Sequence, residues 1–308
     1  MHSNPTVGII GLGSLGVLFA DAFTRALGRD RVLVLADRNR VARYRSEGVW
    51  FNGVKSDFTY AIPEEVARPV DLLVFAVKYG GLAAAAEECR SLVGPDTTVI
   101  SLLNGISSEP LLAQVCGPEK LVWCIARKMT ANKEGNRVTC PNIGELVLGV
   151  PEGQDTARLR ELDAFFTAVS LPHVVTDDIR REKWSKLLVN TGCNQAAMVY
   201  ACTYAGLQRP GEARDTMIGA MREVVAVANA EGVALSEQDV ADWCAVVDGF
   251  APDKEPSMRQ DGKHRRPSEV ELFSGTIRRL AQKHGIPVPV NDRLYRRVQE
   301  MERDYGRR

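Results

Sequence analysis

Hydrophobic and polar positions follow two rhythms in the first half of the chain. In one, every residue of a short run is apolar or nearly so: Val7-Gly-Ile-Ile, Val32-Leu-Val-Leu-Ala, Leu72-Leu-Val-Phe-Ala-Val and Val99-Ile-Ser-Leu-Leu. In the other, apolar residues recur at helical spacing, as in Leu15, Leu18, Phe19, Ala22, Phe23, Ala26 and Leu27. A similar run from Ala83 to Leu92 stops at Gly94-Pro95. Continuously apolar strands separated by amphipathic helices predict a parallel sheet covered on both faces, extending from Thr6 to about Thr176. Asn52-Gly53, between Val49-Trp-Phe and Phe58-Thr-Tyr, predicts a small hairpin inserted into that pattern.

Beyond Asp177 the strand signal disappears. Helical patterns occupy 179–200, 211–231, 237–250, 268–284 and 291–304, with breakers at Asn229–Gly232 and Gly249–Pro256. The expected architecture is therefore α/β: an N-terminal doubly wound parallel sheet over residues 1–177, then an all-helical domain over 178–308. No internal repeat or low-complexity segment interrupts it.

Composition narrows the function class. The chain has 308 residues, 45% hydrophobic and 25% charged, which suits a folded protein of about two domains. Lys plus Arg and Asp plus Glu number 39 each. That balance argues against a general nucleic-acid or acidic-membrane binder. Only the segment 259–308 is basic, with 13 cations to 7 acids, and these are spread along helical repeats as a solvated face would be. Seven cysteines at irregular positions and four histidines form no metal-ligand motif, so no metal is expected and reduced thiols are. The start, Met1-His-Ser-Asn-Pro, lacks the basic and apolar regions of a signal peptide, and no apolar run approaches a membrane span. A cytoplasmic protein is expected.

Candidate chemistry begins directly after the first strand, with Gly11-Leu12-Gly13-Ser14-Leu15-Gly16 opening the first helix. Gly11 permits a tight turn, Gly13 lets backbone approach a pyrophosphate, and Gly16 lets helix and sheet close up. The free N–H groups of the helix start suit an anion. Together these predict a Rossmann-type dinucleotide site. Asp37 ends the second strand, where a carboxylate accepts from ribose hydroxyls and disfavours a 2′-phosphate, which points to NADH. Arg38 and Arg40 could instead hold that phosphate, and Asp37 could simply cap the next helix, so the cofactor preference stays open. In the second domain, Lys186, Asn190 and Asn194 recur at spacing four, placing one cation and two amides along roughly 12 Å of one helical face. Such a stripe suits a carbonyl or oxyanion ligand, or plain solvent.

At this point the chain resembles the ketopantoate reductases over nearly its whole length. The motifs that carry the resemblance are Gly11–Gly16, Val77-Lys78, Leu103-Asn104-Gly105 and Glu182-Lys-Trp-Ser-Lys186-Leu with Asn190 and Asn194. Pro256-Ser257-Met258 with Gln260-Asp261, and Ser268-Glu269-Val-Glu271 before Gly275, complete the set. The resemblance implies reduction of ketopantoate to pantoate with NADPH, on the way to coenzyme A, with the keto acid in a cleft against the helical domain. It implies Lys186 as the catalytic lysine, its pKa lowered by partial burial, and Glu269 as the substrate-binding glutamate, counted with Lys186 as catalytic. Asn190, Asn194 and Ser257 would hold the substrate. Asn104 would lie near the nicotinamide, binding both cofactor and substrate, and Lys78 at the cofactor–substrate mouth. The assembly is left open, a homodimer being compatible. The chain departs from the family at Asp37, where arginine is more usual, at Ile106-Ser-Ser, and at Gln195-Ala-Ala after Asn194. Two other readings compete: a related dehydrogenase of another 2-keto acid, β-hydroxy acid or opine, and a non-catalytic NAD(P)-binding redox sensor.

Overall fold

The computed structural model describes residues 4–307; Met1-His-Ser, read above for a leader, and Arg308 of the basic segment lie outside the described residues. Two compact units emerge. One comprises residues 1–104 and 108–179, the other residues 105–107 and 180–308.

The first unit is built on five parallel strands: β1 (Val7–Ile10), β2 (Val32–Leu35), β3 (Thr59–Ala61), β4 (Leu72–Phe75) and β5 (Thr98–Ser101). Their order is β3-β2-β1-β4-β5, with β1 pairing in register to both β2 and β4. Alternate residues serve opposite faces, and both faces are buried. Val7, Ile9, Val34 and Val74 pack against Phe19 and Phe23 of helix α1 (Ser14–Leu27) and against Phe165 and Phe166. Ile10, Leu35, Leu73 and Phe75 pack on the other side with Leu82, Ala85 and Leu112. That two-sided burial is why these strands read as unbroken apolar runs. This is the doubly wound Rossmann arrangement, whose order reverses between β1 and β4, where a crevice opens beyond the strand ends.

Two parts of the expectation need correction. Asn52 and Gly53 do turn a hairpin, with φ of 48° and 83°. Its arms, however, are Trp50–Phe51 and Val54–Lys55, paired Phe51 to Val54 and Trp50 to Lys55. A two-residue turn pairs only the residues flanking it, so the Phe58-Thr-Tyr stretch instead supplies β3 of the main sheet. The parallel sheet also stops at β5. The hairpin joins Arg137–Asn142 and Thr130–Glu134 in a four-stranded sheet, while Trp123–Arg127, Glu145–Gly149 and His173–Val175 form a three-stranded one. Val138 and Cys140 turn inward and Arg137 and Thr139 outward, a period of two that marks a sheet with one wet face.

The second unit is helical throughout, around Glu212–Ala230, whose Met217, Ala220, Met221, Val224 and Val227 are fully buried. Buried Asn291 ties three segments together. It donates to the Ala220 carbonyl (3.2 Å) and to Glu223 (2.8 Å), and accepts from Ser274 (2.7 Å). Glu223 in turn accepts from the Val290 and Asn291 amides that open the helix Pro289–Arg303. Two of the expected long helices contain a π turn, Asn190–Asn194 and Glu271–Gly275, and two short helices, Tyr204–Gln208 and Ser257–Lys263, were not foreseen. Among the described residues no helix is long and apolar enough to cross a membrane.

Candidate active site

At the C-terminal end of β1 the chain turns through Gly11, whose φ of +99° and distance to Ala76 exclude a side chain: a Cβ there would lie 2.7 Å from the Ala76 carbonyl. Gly16 is more constrained, because its Cβ would lie 1.8 Å from the Gly11 oxygen. Gly13 differs from both. Its φ is negative, and the nearest atom to a Cβ would be the Ala76 oxygen at an ordinary 3.6 Å. The protein itself thus has no steric need for glycine at this position, which leaves the space for a ligand's approach. Gly13 caps α1 without a side-chain hydrogen bond, so the first N–H groups of the helix remain available to an anion. The residues fit a pyrophosphate. Leu12 is buried, and Ser14 and Leu15 form the first turn of α1.

Asp37 follows β2 and caps helix α2 (Arg38–Glu47), accepting from the Arg40 amide at 2.8 Å. The Arg40 guanidinium lies 3.4 Å from its second oxygen, and Arg38 pairs with Glu65 at 2.7 Å on the exposed surface. Lys78 is exposed and caps the turn Tyr79–Gly81 after β4. Asn104 is half-buried and follows β5. Lys133 was not foreseen: its ammonium donates to the Leu12 carbonyl inside the glycine loop. Nothing in the local sequence of a strand lysine signals that contact.

In the helical unit, Lys186 occupies the last turn of the helix Ile179–Val189 and is half-buried. Its neighbours fix that turn: Trp184, Leu187 and Leu188 are buried, and Ser185 accepts from the Trp243 indole at 2.9 Å. The π turn follows at once. The Asn194 amide donates to Asn190 (3.2 Å), while its oxygen accepts from the Ser257 hydroxyl (3.0 Å) and the Met258 amide (3.2 Å). Asn194 therefore joins two of the sequence motifs, and its polar atoms are occupied. The Asn190 amide nitrogen, by contrast, is buried with no hydrogen-bond partner. An unmet buried donor beside a lysine-bearing turn is suited to an oxygen ligand. Cys193, in the same turn, is no thiolate: burial pushes its thiol up to about 12.

The remaining motif residues have partners of their own. Asp261 accepts from Arg266 (2.9 Å) and Gln260 closes the loop onto the Glu255 carbonyl (3.2 Å). Glu269 is half-buried, and its carbonyl accepts from the Leu272 and Phe273 amides at the entry to the second π turn. Glu271 accepts from the Tyr295 hydroxyl, which raises the phenol's pKa. Gly105, at φ +82°, would place a Cβ 3.3 Å from the Leu272 carbonyl, and Ser107 pairs with Thr276 at 3.0 Å. Ser107, one of the departures noted above, thus has a partner within the helical unit.

Residues 7–153 match the family model of ketopantoate reductase PanE/ApbA, and residues 178–302 match the model of its C-terminal domain. The chain belongs to this family. The 2-dehydropantoate 2-reductase of Halobacterium salinarum is 30% identical over 96% of this chain and 98% of that protein. That of Aquifex aeolicus is 24% identical over 96% of each. Among solved structures, D-mandelate dehydrogenase with NADH and anilino(oxo)acetate superposes with a TM-score of 0.86 at 25% identity, covering 98% of this chain and 99% of that one. A dimeric ketopantoate reductase from Staphylococcus aureus gives 0.79 at 25% identity, covering 98% and 100%. The family match takes in the glycine loop in one unit and the Lys186–Asn194 and Glu269 segments in the other, so no single motif carries it.

Proposed function

We propose that this member of the ketopantoate reductase family reduces 2-dehydropantoate to pantoate with a reduced nicotinamide dinucleotide. The observation that carries the reading is the family match over both units, one of which contains a glycine loop with the ligand space at Gly13. The loop Gly11–Gly16, Asp37, Arg38, Lys78 and Asn104 would hold the dinucleotide. The chemistry that group supplies when bound is a hydride for the ketone carbon. Lys186 holds the ketone oxygen and delivers the proton that completes the hydroxyl, acting as general acid. The unmet donor of Asn190 takes a substrate oxygen. Asn194 acts as a positioning residue, keeping Ser257 and the Met258 amide next to Asn190. Glu269 accepts from a substrate hydroxyl. A cytoplasmic homodimer is part of the proposal, its dimeric state supported by the dimeric Staphylococcus aureus relative.

A second reading, an aromatic 2-keto acid as substrate, is favoured by the likeness to D-mandelate dehydrogenase. One experiment separates the two. NADH and NADPH oxidation is followed by absorbance with 2-dehydropantoate, phenylglyoxylate and small 2-keto acids, for the wild type and Lys186→Ala. The proposal expects the highest kcat/KM with 2-dehydropantoate. It also expects a loss of about two to four powers of ten in kcat in the folded variant, the usual range for a general acid. Preference for phenylglyoxylate would replace the substrate, and near-normal turnover of Lys186→Ala would remove the lysine from its role.

A further inference from the structure

Lys133 is 121 residues from Leu12 in the chain, yet its ammonium donates to the carbonyl between Gly11 and Gly13. The fold explains the meeting. Helix α1 contacts the main sheet and also the strands Thr130–Glu134 and Arg137–Asn142, whose Val138 and Cys140 belong to the same apolar cluster as Val17, Leu18 and Phe19 of the helix. Lys133 therefore reaches the glycine loop from the small sheet.

The electrostatics of this lysine are unusual for a purely structural one. An ammonium has three donors, and the Leu12 carbonyl takes one. Among the described residues no carboxylate pairs with it, and the charge that acts on it is that of Arg43, a like charge on α2. Burial first, and Arg43 second, push the ammonium below the usual lysine range. A half-buried cation with no anion, at the edge of a loop shaped for a phosphate, is electrostatically incomplete.

We propose that Lys133 is a ligand for a phosphate of the dinucleotide, supplied by the small sheet to the glycine loop. This inference rests on the reductase reading for the identity of the anion. The phosphate has two sources, the pyrophosphate that NADH and NADPH share and the 2′-phosphate that NADPH alone carries. Lys133 also braces the Leu12 carbonyl, so the charge must be tested apart from the brace.

Lys133→Gln keeps an amide donor for that carbonyl and removes the charge, Lys133→Met removes both, and Lys133→Arg keeps the cation. Dissociation constants for NADH and NADPH are measured by nucleotide fluorescence at low and high salt, with thermal midpoints to verify folding. Gln and Met are expected to weaken binding roughly ten- to a hundred-fold, the span of a hydrogen bond to a charged group. Both should also flatten the salt dependence, while Arg stays near the wild type. Equal loss for both nucleotides places the charge on the pyrophosphate, and loss for NADPH alone on the 2′-phosphate; either outcome supports the proposal. Wild-type affinity and salt dependence in Lys133→Gln would overturn it, leaving a brace alone. A wild type that binds neither nucleotide would instead bring down the reductase reading, and this inference with it.

Discussion

Asp37 can cap a helix and face a ribose from the same place, because the residue that ends β2 also begins α2. Its first oxygen holds the Arg40 amide and its second lies near the Arg40 guanidinium, so the carboxylate is partly neutralised before any ligand arrives. Arg38, the other candidate for a 2′-phosphate, is engaged with Glu65. With one arginine paired to each carboxylate, the loop presents little net charge to a 2′-phosphate, and we expect a modest preference for NADH. Releasing Arg38 should move that preference. An exposed ion pair is worth at most about 1 kcal/mol, so Glu65→Gln should raise the ratio of kcat/KM for NADPH over NADH by up to about fivefold. Asp37→Asn should move the ratio the same way while keeping the helix cap, since asparagine caps as well as aspartate. An unchanged ratio in both variants would mean that neither side chain faces the ribose. The capping role itself was one of two readings open from the sequence, and only the hydrogen bond to Arg40 shows that it is in use.

The glycine loop and the π turns differ in how much of them the sequence displayed. The loop was legible because each glycine stands at a fixed offset from a strand end and a helix start. What the spacing could not separate is which glycines the fold requires. Gly16→Ala would force a methyl into the Gly11 carbonyl and should cost stability and nucleotide binding together. Gly13→Ala meets only ordinary contacts, so it should unfold at the wild-type midpoint yet bind nucleotide at least about tenfold more weakly. Thermal melts beside nucleotide titrations check both, and a Gly13→Ala protein with full affinity would mean that the ligand passes this residue at a distance. The π turns were hidden, because one wider turn shifts a 3.6-residue pattern too little to be seen against it. A signal was present all the same. Gly192 and Gly275 interrupt otherwise helical stretches, and a Cβ on Gly192 would lie 2.7 Å from the Met217 carbonyl, a close approach that only glycine allows. Lys186, Asn190 and Asn194 were visible as a stripe; that Asn194 is fully occupied, and that Asn190 retains the unmet donor, follows from Ser257 and Met258 meeting Asn194 across 63 or more residues of chain.

At the scale of the whole molecule, the change from a parallel sheet with helices to an all-helical region was legible and its details were not. The change from apolar runs to long helical patterns near residue 177 reflects two real kinds of burial. Inside the first part, the parallel sheet was expected to extend to about Thr176, although a period of two near 130–142 marks a separate, half-wet sheet. Least legible was that Gly105–Ser107 belong with the helices, since the contacts that decide it, to Leu272 and Thr276, are remote in sequence. That exchange has a thermodynamic consequence. The chain passes between the units at 104/105, 107/108 and 179/180, and unfolding the first unit pulls on a segment that is part of the second. The units should therefore unfold together, and a ligand of one should stabilise both. At a free nucleotide concentration of about 100 times Kd, binding adds roughly 2.7 kcal/mol. With an unfolding entropy of about 2.1 cal/mol/K per residue, a single transition of the whole 308-residue chain moves by roughly 1.5 °C per kcal/mol and should rise by roughly 4 °C. Scanning calorimetry with and without NADH tests this. Two transitions of which only one moves would show that the Gly105–Ser107 segment does not couple the units, and would assign the moved transition to the unit that binds the nucleotide.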